Sequence, residues 1–157
     1  MALEISWGVI FKICIGGLFT YAVLPLTLAI RDLLLLKAIE KWILNENLNS
    51  LIRICENDRW HLENEYQKDT EVNIRNDGNI YKIDDKEVTE EKFKSYERGK
   101  KFHENRFYPT NSKITMRSNL LVWLTKHYKM TEFVNPIPQM KEGYYNMKVK
   151  EHERKNT

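Results

Sequence analysis

The sequence predicts an α+β protein: an N-terminal single transmembrane helix continues into a helical segment, followed by a small soluble domain with a β-hairpin and two or more helices. The observations are an uncharged run over residues 13–30, alternating apolar residues around a turn sequence near residue 78, and apolar residues at helical spacing elsewhere. The predicted parts are a membrane anchor (1–30), a juxtamembrane amphipathic helix (31–55), a soluble α+β domain (56–140) and a charged flexible tail (141–157).

The uncharged run is long and apolar enough to cross a bilayer. Nine of its eighteen residues are Leu, Ile, Val or Phe, which together favour insertion by about 3–5 kcal/mol. A spanning helix needs roughly 20 such residues, and Lys12 at its edge can extend its ammonium to the interface. Gly16 and Thr20 form a pair of small residues that would permit self-association. The residues assigned to the anchor are Ile13, Gly16, Gly17, Thr20, Pro25 and Ile30.

Three other interpretations of the same run stay open on sequence alone. It is also consistent with a buried core helix, although a charge-poor run of this length argues against one. A signal peptide cleaved after Ala29 fits a small-x-small pattern, but the chain stays apolar beyond it. A re-entrant or monotopic anchor kinked at Pro25 is the third.

Flanking charge predicts the orientation. Arg31, Lys37 and Lys41 follow the run closely, whereas Lys12 and the amino terminus precede it with Glu4 opposing them. The positive-inside rule therefore predicts a single-pass membrane protein with its C-terminal domain in the cytoplasm.

The first part of the soluble chain reads as helix, turn and hairpin. Residues 31–55 carry apolar residues at helical spacing, with a bend expected near residues 45–49, where three asparagines fall. Residues 71–83 alternate about the turn sequence at 76–79, which predicts a β-hairpin. A second turn is expected at residues 84–86.

Helices are predicted again from Thr89, which precedes two glutamates in the manner of an N-cap. We expect this helix to end near Gly99 or His103 and the region to end at Pro109. A separate apolar helix is predicted over residues 119–129. The last dozen residues are expected to be solvated and frayed.

Charge is segregated along the soluble part. Residues 56–91 hold twelve Asp and Glu against five Lys and Arg, whereas residues 92–117 hold eight Lys and Arg against two Asp and Glu. The basic block could pair with the acidic one, face anionic lipid headgroups or contact a protein partner, and the absence of a nucleic-acid motif disfavours nucleic acid. The candidate contact residues are Lys92, Lys94, Arg98, Lys100, Lys101 and Arg106.

No pattern predicts a catalytic, metal or cofactor site. The four histidines lack metal-ligand spacing, and the two cysteines, Cys14 and Cys55, form neither a CxxC pair nor a disulfide framework. We therefore predict a non-enzymatic, membrane-anchored interaction or regulatory protein that binds a membrane protein or assembly through its soluble domain.

Two alternatives to this function remain. One is a phage-type lysis or superinfection-exclusion membrane protein, since the abundance of Lys, Asn, Ile and Glu resembles proteins of AT-rich bacterial and viral genomes. The other is a membrane-tethered enzyme with an unrecognised site, which would require carboxylates and a histidine to converge in a pocket.

Overall fold

The computed structural model describes residues 7–75 and 78–156, without the side chains of residues 75 and 156. Its elements begin with one continuous N-terminal helix, followed by a second helix, three strands and two further helices. They are α1 (Trp7–Ile43), α2 (Glu46–Asn64), β1 (Thr70–Arg75), β2 (Gly78–Ile83), β3 (Lys86–Val88), α3 (Glu90–His127) and α4 (Ile137–Asn156). This is the predicted α+β class with a long apolar helix at its N-terminal side.

Helix α1 has two parts, an exposed apolar part and a final part that packs in the domain. From Trp7 to Ile30 every residue is exposed except Gly17, which is partly buried. Pro25 lies just after a π-helical turn at Phe19–Val23, and the helix continues through it. The last part enters the domain, where Ile39 and Ile43 are buried. The apolar window of α1 is unburied, which does not fit the core-helix interpretation.

The domain is a bundle of α2, α3 and α4 with the end of α1. The chain bends at residues 44–45, as predicted, and Asn45 caps α2 by accepting from the Leu48 amide at 3.0 Å. Residues at the start of α2 contact the later part of α3 and residues near the end of α2 contact an earlier part, so these two helices are antiparallel. Helix α4 lies parallel to α2, because later residues of α4 contact later residues of α2. The core residues are Ile39, Ile43, Leu48, Ile52, Cys55, Ile114, Leu121 and Ile137.

The predicted hairpin is present as β1 and β2, which pair antiparallel from Thr70–Ile83 to Arg75–Gly78. Two residues of its predicted turn, 76 and 77, lie outside the described residues. A short third strand, β3, pairs with β2 after the predicted second turn. The sheet packs on the start of α3, where the rings of Tyr81 and Phe93 lie 5.1 Å apart.

Helix α3 differs in three ways from the prediction for this region. Thr89 caps it as predicted, accepting from the Lys92 amide, but the predicted end near Gly99 or His103 is wrong. The helix runs for 38 residues with Pro109 inside it, so the separate helix over 119–129 is its last part. Pro109 is exposed, and burial of Ile114 and Leu121 beyond it compensates for the hydrogen bond that proline cannot donate.

The segment expected to be a solvated, frayed tail is also helical. Helix α4 continues to Asn156, and its side chains contact α2 along much of that length. Lys141 lies 3.4 Å from Glu56, and the Tyr145 hydroxyl donates to Glu63 at 2.7 Å. Tertiary contact with α2 therefore orders a sequence that looks solvated when read locally.

Candidate functional site

The residues that the sequence assigns to a membrane anchor lie on α1, where two threonine hydroxyls are satisfied inside the helix. The Thr20 hydroxyl donates to the Gly16 carbonyl at 2.7 Å, and the Thr27 hydroxyl donates to the Leu24 carbonyl at 2.7 Å. This is the arrangement that a hydrocarbon environment requires, since it offers no water to unpaired groups. The remaining assigned anchor residues, Ile13, Gly17, Pro25 and Ile30, lie along the same uncovered surface.

The two glycines of α1 serve no packing against the described part of the chain. Apart from neighbouring residues and the adjacent backbone of α1 itself, a methyl group built onto Gly16 or Gly17 would meet no described atom within 4 Å. Their surface is therefore open to lipid or to another helix.

The end of the uncharged run is tied to the far end of α3. Arg31 pairs with Asp32 at 2.7 Å, donates to the Tyr128 carbonyl at 3.4 Å and lies 5.6 Å from the centre of the Tyr128 ring. Tyr128 is the residue that caps α3. These contacts bring the loop after α3 to the level at which the apolar segment ends.

The six basic candidates of α3 do not share one environment. Arg106 binds Asp58 of α2, Lys94 pairs with Glu90 at 2.5 Å, and Arg98 donates to the Lys94 carbonyl at 3.2 Å. At 100° per residue, Lys94, Arg98 and Lys101 fall on one side of the helix, away from Arg106. All three are exposed. Lys92 is exposed beside the sheet and Lys100 is half-buried.

The buried polar centre of the domain surrounds Asp58. Its carboxylate accepts from His103 Nδ1 at 2.8 Å and from Arg106 Nε at 2.6 Å, and the second Arg106 nitrogen also donates to it. Burial raises the pKa of Asp58, but the hydrogen bonds from Arg106 and His103 outweigh this and leave the pKa below its usual value. The acidic and basic blocks thus meet inside the domain at this carboxylate.

A pair of histidines extends from that centre. The rings of His61 and His103 stack with centroids 4.6 Å apart, and His61 Nδ1 lies 2.7 Å from Glu65. Each ring is thus held by one carboxylate, which is an arrangement that can support proton transfer. Neither histidine lines the groove beside Glu65, whose other lining residues include Lys92 and Tyr96.

A second buried carboxylate, Glu56, lies on α2 at the contact with α4. Its side chain is fully buried, and its oxygens lie 3.4 Å from Lys141 and 3.5 Å from Arg59 without a hydrogen bond among the described residues. Within residues 7–75 and 78–156 no group of three His, Cys, Asp or Glu side chains is placed to hold a metal ion.

Sequence reasoning missed this polar centre because its members are far apart along the chain. His103 and Arg106 follow Asp58 by 45 and 48 positions, and no short motif links them. The only signal in the sequence was the adjacency of the acidic and basic blocks, which indicates pairing without identifying the partners.

No protein-family model matches the chain, and neither a curated protein nor a solved structure matches it.

Proposed function

We propose that this chain is a non-enzymatic, single-pass membrane protein whose cytoplasmic helical domain binds and regulates a membrane protein or assembly. The observation that carries the proposal is the uncovered surface of α1. Large apolar side chains there, such as Phe11, Ile13 and Phe19, are 67%, 68% and 58% exposed, so the described part of the domain leaves them open.

The free energy of moving the apolar surface of α1 out of water favours its burial in lipid. Residues 7–30 form about 36 Å of helix at 1.5 Å per residue, and the hydrocarbon core of a bilayer is about 30 Å thick. Each large apolar side chain moved out of water contributes about 1.5–3 kcal/mol. The internally bonded hydroxyls of Thr20 and Thr27 remove a further cost of insertion.

The exposed side of α3 supports the interaction role. Phe102, Tyr108 and Met116 are 57%, 64% and 74% exposed on a helix that also presents Lys94 and Lys101. Aromatic residues and methionine are enriched at the cores of protein interfaces, and the lysines favour a partner with an acidic surface. The absence of a predicted catalytic motif is the reason for proposing a binding role rather than a reaction.

Carbonate extraction of membranes from cells making the full chain tests the anchor. We expect the chain in the membrane pellet, and we expect a matched variant with Phe19→Arg and Val23→Arg in the supernatant, because each central arginine costs about 2.5–3.5 kcal/mol of insertion. Recovery of the unaltered chain in the supernatant at full length would contradict the proposal. N-terminal sequencing of the pelleted protein detects cleavage after Ala29.

A membrane-tethered enzyme is the second candidate, and the stacked His61–His103 pair is the observation that favours it. The two proposals differ in what His61→Gln does. The variant leaves the hydrogen bond of His103 to buried Asp58 in place, so a binding protein should still bind its partner. An enzyme whose proton transfer passes along the stacked pair should fold normally and lose its reaction.

A further inference from the structure

We infer that the end of α3 and the loop after it form a second membrane contact, seated in the headgroup layer of the bilayer that α1 crosses. We call this surface the juxtamembrane patch: Val122, Trp123, Lys126, Lys129 and Thr131. The inference rests on the proposed membrane anchoring and adds a defined orientation of the domain to it.

The depth of the patch follows from Arg31. This arginine is the first charge after the uncharged run, so in a spanning helix it lies at the membrane surface. Its contacts to the carbonyl and ring of Tyr128 bring residue 128 to the same level. Lys126, Lys129 and Thr131 are within three residues of Tyr128.

The direction of α3 follows from a second set of contacts. Arg31 contacts Tyr128, Asn45 accepts from Arg117 at 3.1 Å, and Asp58 binds Arg106. As the chain leaves α1 and continues through α2, the residues it contacts on α3 lie progressively closer to the N-terminal end of α3. The end of α3 therefore faces the bilayer, and Lys94 lies about 50 Å of helix away from Tyr128 at 1.5 Å per residue.

Open grooves flank this junction on three sides. One lies between α1 and the loop, lined by Ile30, Leu34, Leu35 and Tyr128. A second is lined by Leu36, Met130 and Phe133, and a third by Val122, Lys126 and Lys129. Each combines apolar walls with charged or polar side chains, among them Asp32, which pairs with Arg31, and Glu132 in the second groove.

The composition of the patch matches the headgroup layer. Trp123 is 57% and Val122 is 48% exposed, and tryptophan prefers the interface because its ring is apolar while its N–H needs a polar partner. Lys126 and Lys129 are exposed and favour an anionic surface, which attracts basic side chains close to it.

Fluorescence quenching in vesicles tests the contact on the full chain. Cys14 is replaced by Ala, buried Cys55 is retained, and one new cysteine, Thr131→Cys or Lys94→Cys, carries a bimane label. The vesicles contain phosphatidylcholine with a minor fraction of phosphatidylglycerol and a lipid with a nitroxide near its headgroup. We expect severalfold stronger quenching of the label at 131 than of the label at 94, which is exposed near the other end of α3.

Charge reversal separates a built contact from mere proximity. Lys126→Glu with Lys129→Glu in the Thr131→Cys chain should reduce quenching of the label at 131, while the contacts of Arg31 with Tyr128 still hold the loop near the membrane surface. Lys150→Glu with Lys155→Glu, two exposed lysines at the end of α4, should leave it unchanged. Two results in chains that resist carbonate extraction would overturn this inference alone. One is equal quenching of the labels at 131 and 94, and the other is quenching at 131 that the charge reversal does not change. Chains released by carbonate would instead overturn the anchor.

Discussion

Arg106 of α3 donates its Nε hydrogen to Asp58 of α2 at 2.6 Å, across 48 positions of the chain. The Asp58 side chain is fully buried, whereas that of Arg106 is 40% exposed. The pair joins the acidic and basic blocks inside the domain and gives Arg106 a structural partner that the exposed Lys94 and Lys101 do not share. One of the six candidate contact residues is thereby already engaged by the domain itself.

Arg106→Ala should lower the free energy of unfolding by about 3 kcal/mol, because it leaves a buried carboxylate with His103 as its main partner. Chemical denaturation of the detergent-solubilised full chain, followed by the fluorescence of the four tryptophans, measures this. Arg98→Ala is the matched control on the same helix, and its loss should stay within about 0–1 kcal/mol. Equal losses for both variants would show that the Asp58 pair adds no stability.

Acid should destabilise the domain through Asp58. Burial raises its pKa, but the hydrogen bonds from Arg106 and His103 lower it by more, so the folded pKa lies below the ordinary value. Stability from the pair is then complete above the unfolded pKa of about 3.9 and falls as pH drops through the lower folded value. Melting temperatures measured across this range should fall more steeply for the unaltered chain than for Asp58→Asn. Parallel curves would contradict the assignment.

Local patterns sufficed for some elements and failed for others. Alternation around the turn near residue 78 predicted the hairpin, and Thr89 predicted the start of α3, because both depend on neighbours in sequence. The local rule that proline ends a helix failed at Pro109, since packing of Ile114 and Leu121 outweighs one lost hydrogen bond. The contacts of Asp58 depend on helix packing, which one sequence does not encode in a readable pattern.

Pro109→Ala should stabilise the domain, because alanine restores an amide that can donate to the Asn105 carbonyl within α3. Inside a helix, proline destabilises the folded state by about 3 kcal/mol relative to alanine. Proline also restricts the unfolded chain, which offsets about 0.4–1 kcal/mol of that loss. We expect a net gain of about 2–2.6 kcal/mol, seen as a higher melting temperature. Ser112→Ala, also exposed on α3, is the control and should change stability much less, since both residues donate a backbone amide. A lower melting temperature for Pro109→Ala would show that the proline has a role in packing.

Cys55 should be unreactive in the folded chain. Burial, aided by neighbouring Glu56, raises the pKa of its thiol to about 11, so almost no reactive thiolate forms at about pH 8. In a Cys14→Ala chain, a charged maleimide should label Cys55 only after denaturant is added. The Lys94→Cys chain supplies the control, because its exposed thiol should react at once. Rapid labelling of native Cys55 would mean that α2 and α3 separate readily.

The orientation of α1 should depend on two lysines. Arg31, Lys37 and Lys41 follow the uncharged run, whereas Lys12 is the nearest basic side chain before it. Arg31 contacts Tyr128, but Lys37 and Lys41 are exposed and can be changed without disturbing the fold. Because basic residues near the ends of a span stay in the cytoplasm, the unaltered chain should place a reporter fused after Thr157 there.

Reversing the charge bias should invert that result. Lys37→Gln and Lys41→Gln, combined with Ala2→Lys and Ser6→Lys, leave Arg31 alone on the C-terminal flank and place three lysines on the other. We expect a substantial fraction of the reporter on the opposite side of the membrane, measured by accessibility to a protease. Lys148→Gln with Lys150→Gln removes the same charge far from the span, so it should leave the reporter cytoplasmic. A reporter outside the cytoplasm in the unaltered chain would overturn the orientation, because the same charges would then lie on the translocated side.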